Sequence, residues 1–344
     1  MSLSERLTGL PLRENIPITL VGLGHGAIHW TDAVFYLLLP ALSTTLGLSY
    51  TETGALVSIF HFSAFGANFF SGPLVDLTGR RVMFQVLSVA VGALALMAMG
   101  LAATFLALAC LVVVLGVTSN LWHPPAISFL SNRYPKNRGY ALSIHGLGAS
   151  AGDTLAPLTA GALIAAFGWQ AAAEISALPA LAVAVVLAVG LMRYETRKAE
   201  GTAARGVGLT EYLAGIRTVI ANRAILGLCI MSGFRSMTQG GLLAFLPLYL
   251  ADVMHSGPVM IGIAMAAMQV GGVVATPAAG IWSDRVGRRT VVLAGLTAST
   301  VLITSLTFLG SEVAFIAGIS LLGFVLYAVR PVVHSWMMDL TPDH

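Results

Sequence analysis

The sequence predicts an all-α protein that crosses a membrane many times, and its composition and its apolar runs both indicate this fold class. Hydrophobic residues make up 57% of the 344 residues and charged residues only 10%, whereas a soluble domain carries about 25% charged residues. Apolar stretches of roughly 20 residues, enough for a helix to cross the hydrocarbon core, recur along the whole chain. An ordinary soluble domain is therefore excluded.

Ten of these stretches are predicted to be transmembrane helices. Their predicted bounds are 16–42, 53–77, 82–102, 104–131, 139–167, 170–193, 223–250, 259–283, 290–310 and 312–338. The first stretch lacks a signal-peptide cleavage pattern and is predicted to remain in the protein as a span.

Basic residues are confined to alternate loops. All of the 18 Lys and Arg residues except Arg235 and Arg330 lie before the first span or beside the loops after the second, fourth, sixth and eighth spans. Short loops rich in Lys and Arg stay in the cytoplasm, so we predict a cytoplasmic amino terminus in a multi-pass protein of a bacterial cytoplasmic membrane. This bias also accounts for the sequence pI of about 9.0, and no nucleic-acid partner is expected.

A repeat at an offset of about 208 residues divides the chain into two halves. GPLVDLTGRR, from Gly72, returns as GIWSDRVGRR, from Gly280, and HPPAISFLSNRYP, from His123, aligns with RPVVHSWMMDLTP, from Arg330. The repeat predicts an amino-terminal six-helix bundle, a cytoplasmic linker and an incomplete carboxy-terminal bundle of four helices. These regions are 1–193, 194–222 and 223–344.

The repeated decapeptide resembles the loop motif of the major facilitator superfamily. Its residues are Gly72, Asp76, Gly79, Arg80 and Arg81 in the first copy and Gly280, Asp284, Gly287, Arg288 and Arg289 in the second. The resemblance implies two bundles with a gate between them. It also implies twelve spans, of which ten are present, so either the sequence is a fragment or the protein is unusually short.

A second stretch indicates which branch of the superfamily the sequence resembles. WHPPAISFLSNRYPKNRGYALSIHGLGASAGDTLAPL, residues 122–158, is similar to the branch of the superfamily that contains the fosmidomycin resistance exporters. Its glycines Gly146, Gly148, Gly152 and Gly161, with Pro157, are spaced so that either a second helix can approach closely or the helix can bend.

Polar side chains within the spans are functional candidates, because an Arg or Asp at a helix centre costs about 2.5–3.5 kcal/mol. Candidates for proton coupling or for lining a cavity are His25, His29, Asp32, Tyr36, Asn120, His123, His145 and Asp153. The first four recur at helical spacing and share one face. Candidates for substrate binding are Arg235, Gln239, Arg330 and His334. The alternative roles are a structural ion pair for Asp32 and Arg235 and hydrogen bonds between helices for His25 and His29. For His123 the alternative is a bond to a carbonyl freed by the prolines, and for Arg330 it is snorkelling to the cytoplasmic end of its span.

These residues and the resemblance predict a secondary transporter that works by alternating access. We expect proton-coupled export of a drug or anionic metabolite by a monomer, with Asp32 as the proton-linked carboxylate and Arg235 as a solute contact. A transporter-like sensor, scaffold or assembly factor is the alternative function.

Neither a cofactor nor catalysis is expected from the sequence. No Walker A sequence is present. Cys110 and Cys229 have no metal-ligand spacing around them, so no metal is expected either. A hydrolytic set of Ser143, His145 and Asp153 is disfavoured, because the last two are separated by about 12 Å along a helix.

Overall fold

The computed structural model describes residues 8–195 and 221–340, and these residues form helices and short connections without a β-strand. Within these two ranges, ten α-helices follow one another, together with a single 3₁₀ turn at Met192–Tyr194. The helices are α1 (Leu12–Leu46), α2 (Tyr50–Thr78), α3 (Arg81–Met99), α4 (Phe105–Leu121), α5 (His123–Arg133), α6 (Arg138–Leu191), α7 (Arg223–Asp252), α8 (Pro258–Val286), α9 (Arg288–Leu306) and α10 (Glu312–Asp339). Most of the predicted linker, and the end of the repeat at Pro342, lie outside the described residues.

Seven helical stretches in the described part of the chain are long and apolar enough to cross a membrane. They are Tyr50–Thr78, Arg81–Met99, Phe105–Arg133, Arg138–Tyr194, Pro258–Thr276, Arg288–Leu306 and Glu312–Asp339. Helix α1 is not among them despite its 35 residues, since His25, His29 and Asp32 lower its mean hydropathy. The chain is a multi-pass membrane protein, and the count of ten spans stays a prediction.

The predicted fourth span, 104–131, consists of α4 and α5, which meet at the fully buried Trp122. Pro124 and Pro125 follow this junction and have no backbone N–H groups. Carbonyl groups one turn earlier, beside Asn120, consequently lose their usual helical donors. The Trp122 N–H donates to the Asn120 carbonyl instead, so the helix is irregular directly before His123.

The predicted fifth and sixth spans form one helical stretch that is interrupted at Gly168, where φ is +82° and ψ is 169°. Trp30 Nε1 donates to the Ser176 carbonyl at 2.8 Å and Trp169 Nε1 donates to Thr45 Oγ1 at 2.9 Å, so α1 and the second part of α6 are antiparallel.

The first part of α6 runs parallel to α1, and glycines set the close distance between them. A Cβ atom added to Gly148 would overlap the carbonyl oxygen of Gly22, and one added to Gly152 would overlap that of Gly26. The chain therefore reverses at Gly168, and α1 packs against both parts of α6. Gly161 likewise approaches the backbone of Pro258. A Cβ added to Gly146 would meet no atom within 4 Å, so three of the four glycines named from the sequence lie at close approaches.

The chain forms two compact units. One contains the described helices up to Glu195 together with Leu250–Gly262, and its core surrounds Trp122. The other contains the rest of α7 to α10, with a valine-rich core that includes Val291, Val329 and Val333.

Candidate functional site

Six of the predicted proton-coupling residues lie together in the amino-terminal unit. They come from α1, from α5 and from the first part of α6, and they are His25, His29, Asp32, His123, His145 and Asp153. The close glycine contact between α1 and α6 brings the last two residues to the first three. We call this group the histidine cluster.

Each carboxylate of the histidine cluster has a specific partner on another helix. Asp153 accepts a hydrogen bond from His29 Nδ1 at 3.0 Å, and both side chains are 27% exposed. Asp32 accepts a hydrogen bond from Ser119 Oγ at 2.7 Å. The second oxygen of Asp32, Oδ1, is buried and has no hydrogen-bond partner among the described residues. Asp32 can thus still accept a proton or a donor.

The remaining histidines are linked through the α4–α5 junction. His25 Nδ1 lies 2.8 Å from the His145 carbonyl oxygen, and His25 Nε2 lies 3.3 Å from His123 Nε2. His123 Nδ1 lies 3.1 Å from the Ser119 carbonyl oxygen. Trp122 Nε1 donates to His145 Nε2 at 3.3 Å. A continuous chain of polar contacts therefore runs from Asp32 through Ser119 and the histidines to Trp122.

Two residues in this series of polar contacts, Ser119 and Trp122, were not predicted from the sequence. Ser119 precedes His123 by four residues, one helical turn, so this spacing could have indicated it. Trp122 is adjacent to His123 but resembles an ordinary core aromatic residue. The disfavoured hydrolytic set does not form, because Asp153 contacts His29 and Ser143 Oγ donates to the Tyr140 carbonyl.

Tyr36 and Asn120 lie at the edges of the cluster. Tyr36 is buried, and its hydroxyl lies 3.0 Å from Nε2 of His61 on α2. Asn120 is half-buried and follows Ser119 on α4. Two largely apolar crevices of the same unit, each of about 360–370 Å³, are lined by neither residue nor by the histidine cluster.

The predicted substrate-binding residues lie on α7 and α10 of the second unit. Arg235 is 7% exposed and donates through Nε and Nη2 to the Leu326 carbonyl, at 3.3 and 3.1 Å. Its Nη2 also donates to Gln239 Oε1 at 3.1 Å. Arg330 and His334 occupy exposed positions on α10. Arg235 carries a buried positive charge whose described hydrogen bonds go to neutral oxygens, so an anion would be attracted to it.

The two copies of the repeated motif end their helices in the same way. Gly79 follows α2 with φ +69°, and Gly287 follows α8 with φ +91°, conformations that favour glycine. Beyond Gly79, Arg81 Nε donates to Ser128 Oγ on α5 at 2.8 Å. Beyond Gly287, Arg288 pairs with Asp284 and donates to Asp339 on α10 at 3.2 Å.

In each copy, an arginine just after the glycine therefore forms a hydrogen bond to a later helix of the same half, α5 in the first half and α10 in the second. The remaining motif residues lie in the last two turns of α2 and α8 or at the start of the following helix, namely Gly72, Asp76, Arg80, Gly280 and Arg289.

Comparisons with known proteins agree with this architecture. The family model of the Major Facilitator Superfamily matches residues 21–344. The uncharacterized MFS-type transporter YfnC of Bacillus subtilis is 25% identical over 350 residues, covering 99% of this chain and 83% of that protein. Multidrug resistance protein MdtG of Enterobacter lignolyticus is 26% identical over 315 residues, covering 86% and 71%.

A solved structure shares the fold. The crystal structure of a bacterial homologue of the human lysosomal transporter Spinster, inward-facing and unoccupied, superposes with a TM-score of 0.78 at 19% identity. The superposition covers 94% of this chain and 75% of that one. The fold and the polar groups within the spans define a multi-pass membrane transporter. The chain belongs to the major facilitator superfamily.

Proposed function

We propose that this protein is a proton-coupled exporter of a small drug or anionic metabolite. The observation that carries the proposal is the histidine cluster, in which two carboxylates and four histidines are linked at membrane depth. Ionisable residues are rare in such positions and mark ion and proton pathways. Histidine changes charge near neutral pH, so the cluster can pass a proton towards Asp32.

The second part of the proposal concerns the solute. Arg235 on α7 has a fixed positive charge, and its described hydrogen bonds to Leu326 and Gln239 do not neutralise it. An anionic group on the solute would do so. We therefore assign Arg235, Gln239, Arg330 and His334 to solute recognition.

The direction of transport is proposed from resemblance. The similarity of residues 122–158 to the fosmidomycin resistance exporters and the similarity of the chain to MdtG, a multidrug resistance protein, both favour export. The positive-inside charge bias supports a cytoplasmic amino terminus. Phosphonate antibiotics are the first solutes to test, because they are anionic.

Flux through proteoliposomes tests the proposal directly. The complete protein is reconstituted into liposomes with an acidic interior, and radiolabelled phosphonates, organic acids and antibiotics are added outside. An antiporter accumulates its solute as protons leave, and a protonophore abolishes the accumulation. Protein-free liposomes are the control. If no solute from the set accumulates above this control, the exporter proposal is wrong, and a sensor or scaffold role becomes the better hypothesis.

A further inference from the structure

Three histidine rings of the amino-terminal unit converge on one point. One ring nitrogen from each of His25, His29 and His123 lies within 4.8 Å of the other two. Helix α1 supplies the first two rings, one turn apart, and α5 supplies the third with its first residue. We propose that these three residues bind a divalent transition-metal ion of the zinc type through their Nε2 atoms.

Hydrogen bonds to Nδ1 fix the orientation of two of the rings. The Nδ1 atom of His25 lies 2.8 Å from the His145 carbonyl oxygen, and that of His123 lies 3.1 Å from the Ser119 carbonyl oxygen. A carbonyl oxygen only accepts hydrogen bonds, so in the neutral form each of these histidines carries its ring hydrogen on Nδ1. A neutral imidazole with its hydrogen on Nδ1 presents a lone pair at Nε2. Both rings therefore offer a metal-binding nitrogen.

These two nitrogens face each other. His25 Nε2 and His123 Nε2 are 3.3 Å apart, and two lone pairs at this distance repel unless a cation lies between them. Two imidazole nitrogens at about 2.0–2.1 Å from a tetrahedral zinc ion are about 3.4 Å apart. A shared proton would bridge only two nitrogens. The convergence of a third ring favours a metal ion.

The third ring has the support that metal-binding histidines usually have. His29 Nδ1 donates to the Asp153 carboxylate at 3.0 Å. A carboxylate in this place orients the ring and makes the opposite nitrogen a stronger ligand. The side chains of His29 and Asp153 are each 27% exposed. This opening admits a fourth ligand, a water molecule or an anionic group, as in zinc sites with three protein ligands.

The ligand type limits the metal to a few ions. Imidazole nitrogens suit Zn²⁺, Ni²⁺ and Cu²⁺, whereas Mg²⁺ and Ca²⁺ prefer oxygen ligands. Three neutral imidazoles leave the full positive charge on the ion. The absence of a metal was expected from cysteine spacing, which cannot detect a site whose third ligand lies 94 residues along the chain from the second, from His29 to His123.

Zinc titration of the purified protein tests the proposal without measuring transport. A bound ion would occupy the Nε2 atoms of these three rings and so remove them from the proposed proton pathway, leaving Asp32 and Asp153 as the groups that could carry a proton. The complete protein, carrying an affinity tag without histidines, is titrated with Zn²⁺ in detergent by calorimetry. We expect about one ion per chain. His123→Gln should weaken binding at least about 100-fold, and Asp153→Asn about 10- to 100-fold. His61→Gln, in the same unit but outside the three-ring group, is the matched control and should bind like the wild type.

Two results would overturn the site: a wild-type protein that binds no Zn²⁺, or a His123→Gln variant that binds it unchanged. X-ray absorption of the zinc-loaded wild type covers the case in which the variants do not fold. Three imidazole nitrogens at about 2.0–2.1 Å support the site, whereas a shell of oxygen ligands alone refutes it.

Discussion

The two halves of the repeat use equivalent positions for different chemistry. Pro40 and Pro247 align at an offset of 207 residues, and in this register Asp32 corresponds to Gln239. His123 corresponds to Arg330 at the same offset. At these two positions the first half thus carries side chains that can bind and release a proton, whereas the second half carries a neutral amide and an arginine, whose charge is fixed.

The two halves also differ in where the hydrogen-bond partners of these polar residues lie. In the first half, the partners of the histidine cluster lie on other helices, as in the contact between His29 and Asp153. In the second half, Arg235 contacts a residue of its own helix, Gln239, and a backbone carbonyl of α10. Under the proposed function, the first copy of the repeat would handle protons and the second would recognise the charge of the solute.

The largest effect is expected at Asp32. Asp32→Asn keeps an acceptor for Ser119 but cannot bind or release a proton, so proton-driven accumulation should fall to the level of protein-free liposomes. Solute binding, measured by calorimetry in detergent, should remain. Ser119→Ala is the matched variant, since it removes the partner and keeps the carboxylate. Unchanged transport by Asp32→Asn with an unchanged pH profile would move the proton-linked role to Asp153 or His123.

Arg235 should have the next largest effect. Arg235→Gln can still donate to the Leu326 carbonyl but has no charge, and we expect the concentration for half-maximal transport to rise about 10- to 150-fold, since a hydrogen bond to a charged group contributes about 1.5–3 kcal/mol. Arg223→Ala, at the exposed start of the same helix, is the control. Wild-type affinity in Arg235→Gln would show that the second half does not recognise charge.

Gln239 offers a smaller change that sharpens the same comparison. Position 239 corresponds to Asp32 in the repeat, so Gln239→Glu gives the second half a carboxylate at the equivalent position, beside Arg235. This carboxylate should compete with an anionic solute for Arg235. We expect affinity to fall about 2- to 5-fold, within the range of weak ion pairs. Gln239→Ala removes the amide without adding charge. Equal losses in the two variants would argue against competition.

The smallest effect on transport is expected at the glycines between α1 and α6. Substitutions there should instead lower the stability of the protein. Gly152→Ala places a methyl group against the Gly26 carbonyl and should cost about 1–3 kcal/mol of stability, as overpacking does. Gly146→Ala, six residues earlier and with no atom within 4 Å of the added carbon, is the control. Thermal unfolding in detergent measures both variants. If Gly146→Ala destabilises the protein as much, the close approach is not the cause.

The sequence predicted the all-helical fold and placed the ionisable residues of the histidine cluster within apolar helices, but it did not predict their pairings. Apolar runs are local signals, and the helical spacing of His25, His29 and Asp32 placed them on one face. The contact between His29 and Asp153 joins positions 124 residues apart. It depends on the glycine approach of two backbones, which no local pattern encodes. Ser119 was missed because a serine near a helix end is common and carries no charge.

The predicted boundaries of the spans show how far local sequence patterns are informative. Predicted spans that end at 167 and begin at 170 agree with the interruption at Gly168. The predicted fourth span missed the division at Trp122, since prolines in a transmembrane helix are compatible with a continuous helix when neighbouring groups satisfy the backbone.

Gly168 also determines where the protein can be labelled. The dihedral angles of this residue, φ +82° and ψ 169°, belong to a region that is essentially restricted to glycine, and a single residue accomplishes the reversal between two long helical segments. Beside it, Trp169 is hydrogen-bonded to Thr45 at the end of α1. A turn of one residue cannot accommodate an inserted epitope or reporter without displacing Trp169. Such an insertion would therefore shift α1, the helix that carries His25, His29 and Asp32. The turn between α1 and α2, where a Cβ at Gly47 would meet no atom within 4 Å, is a better place for such a tag.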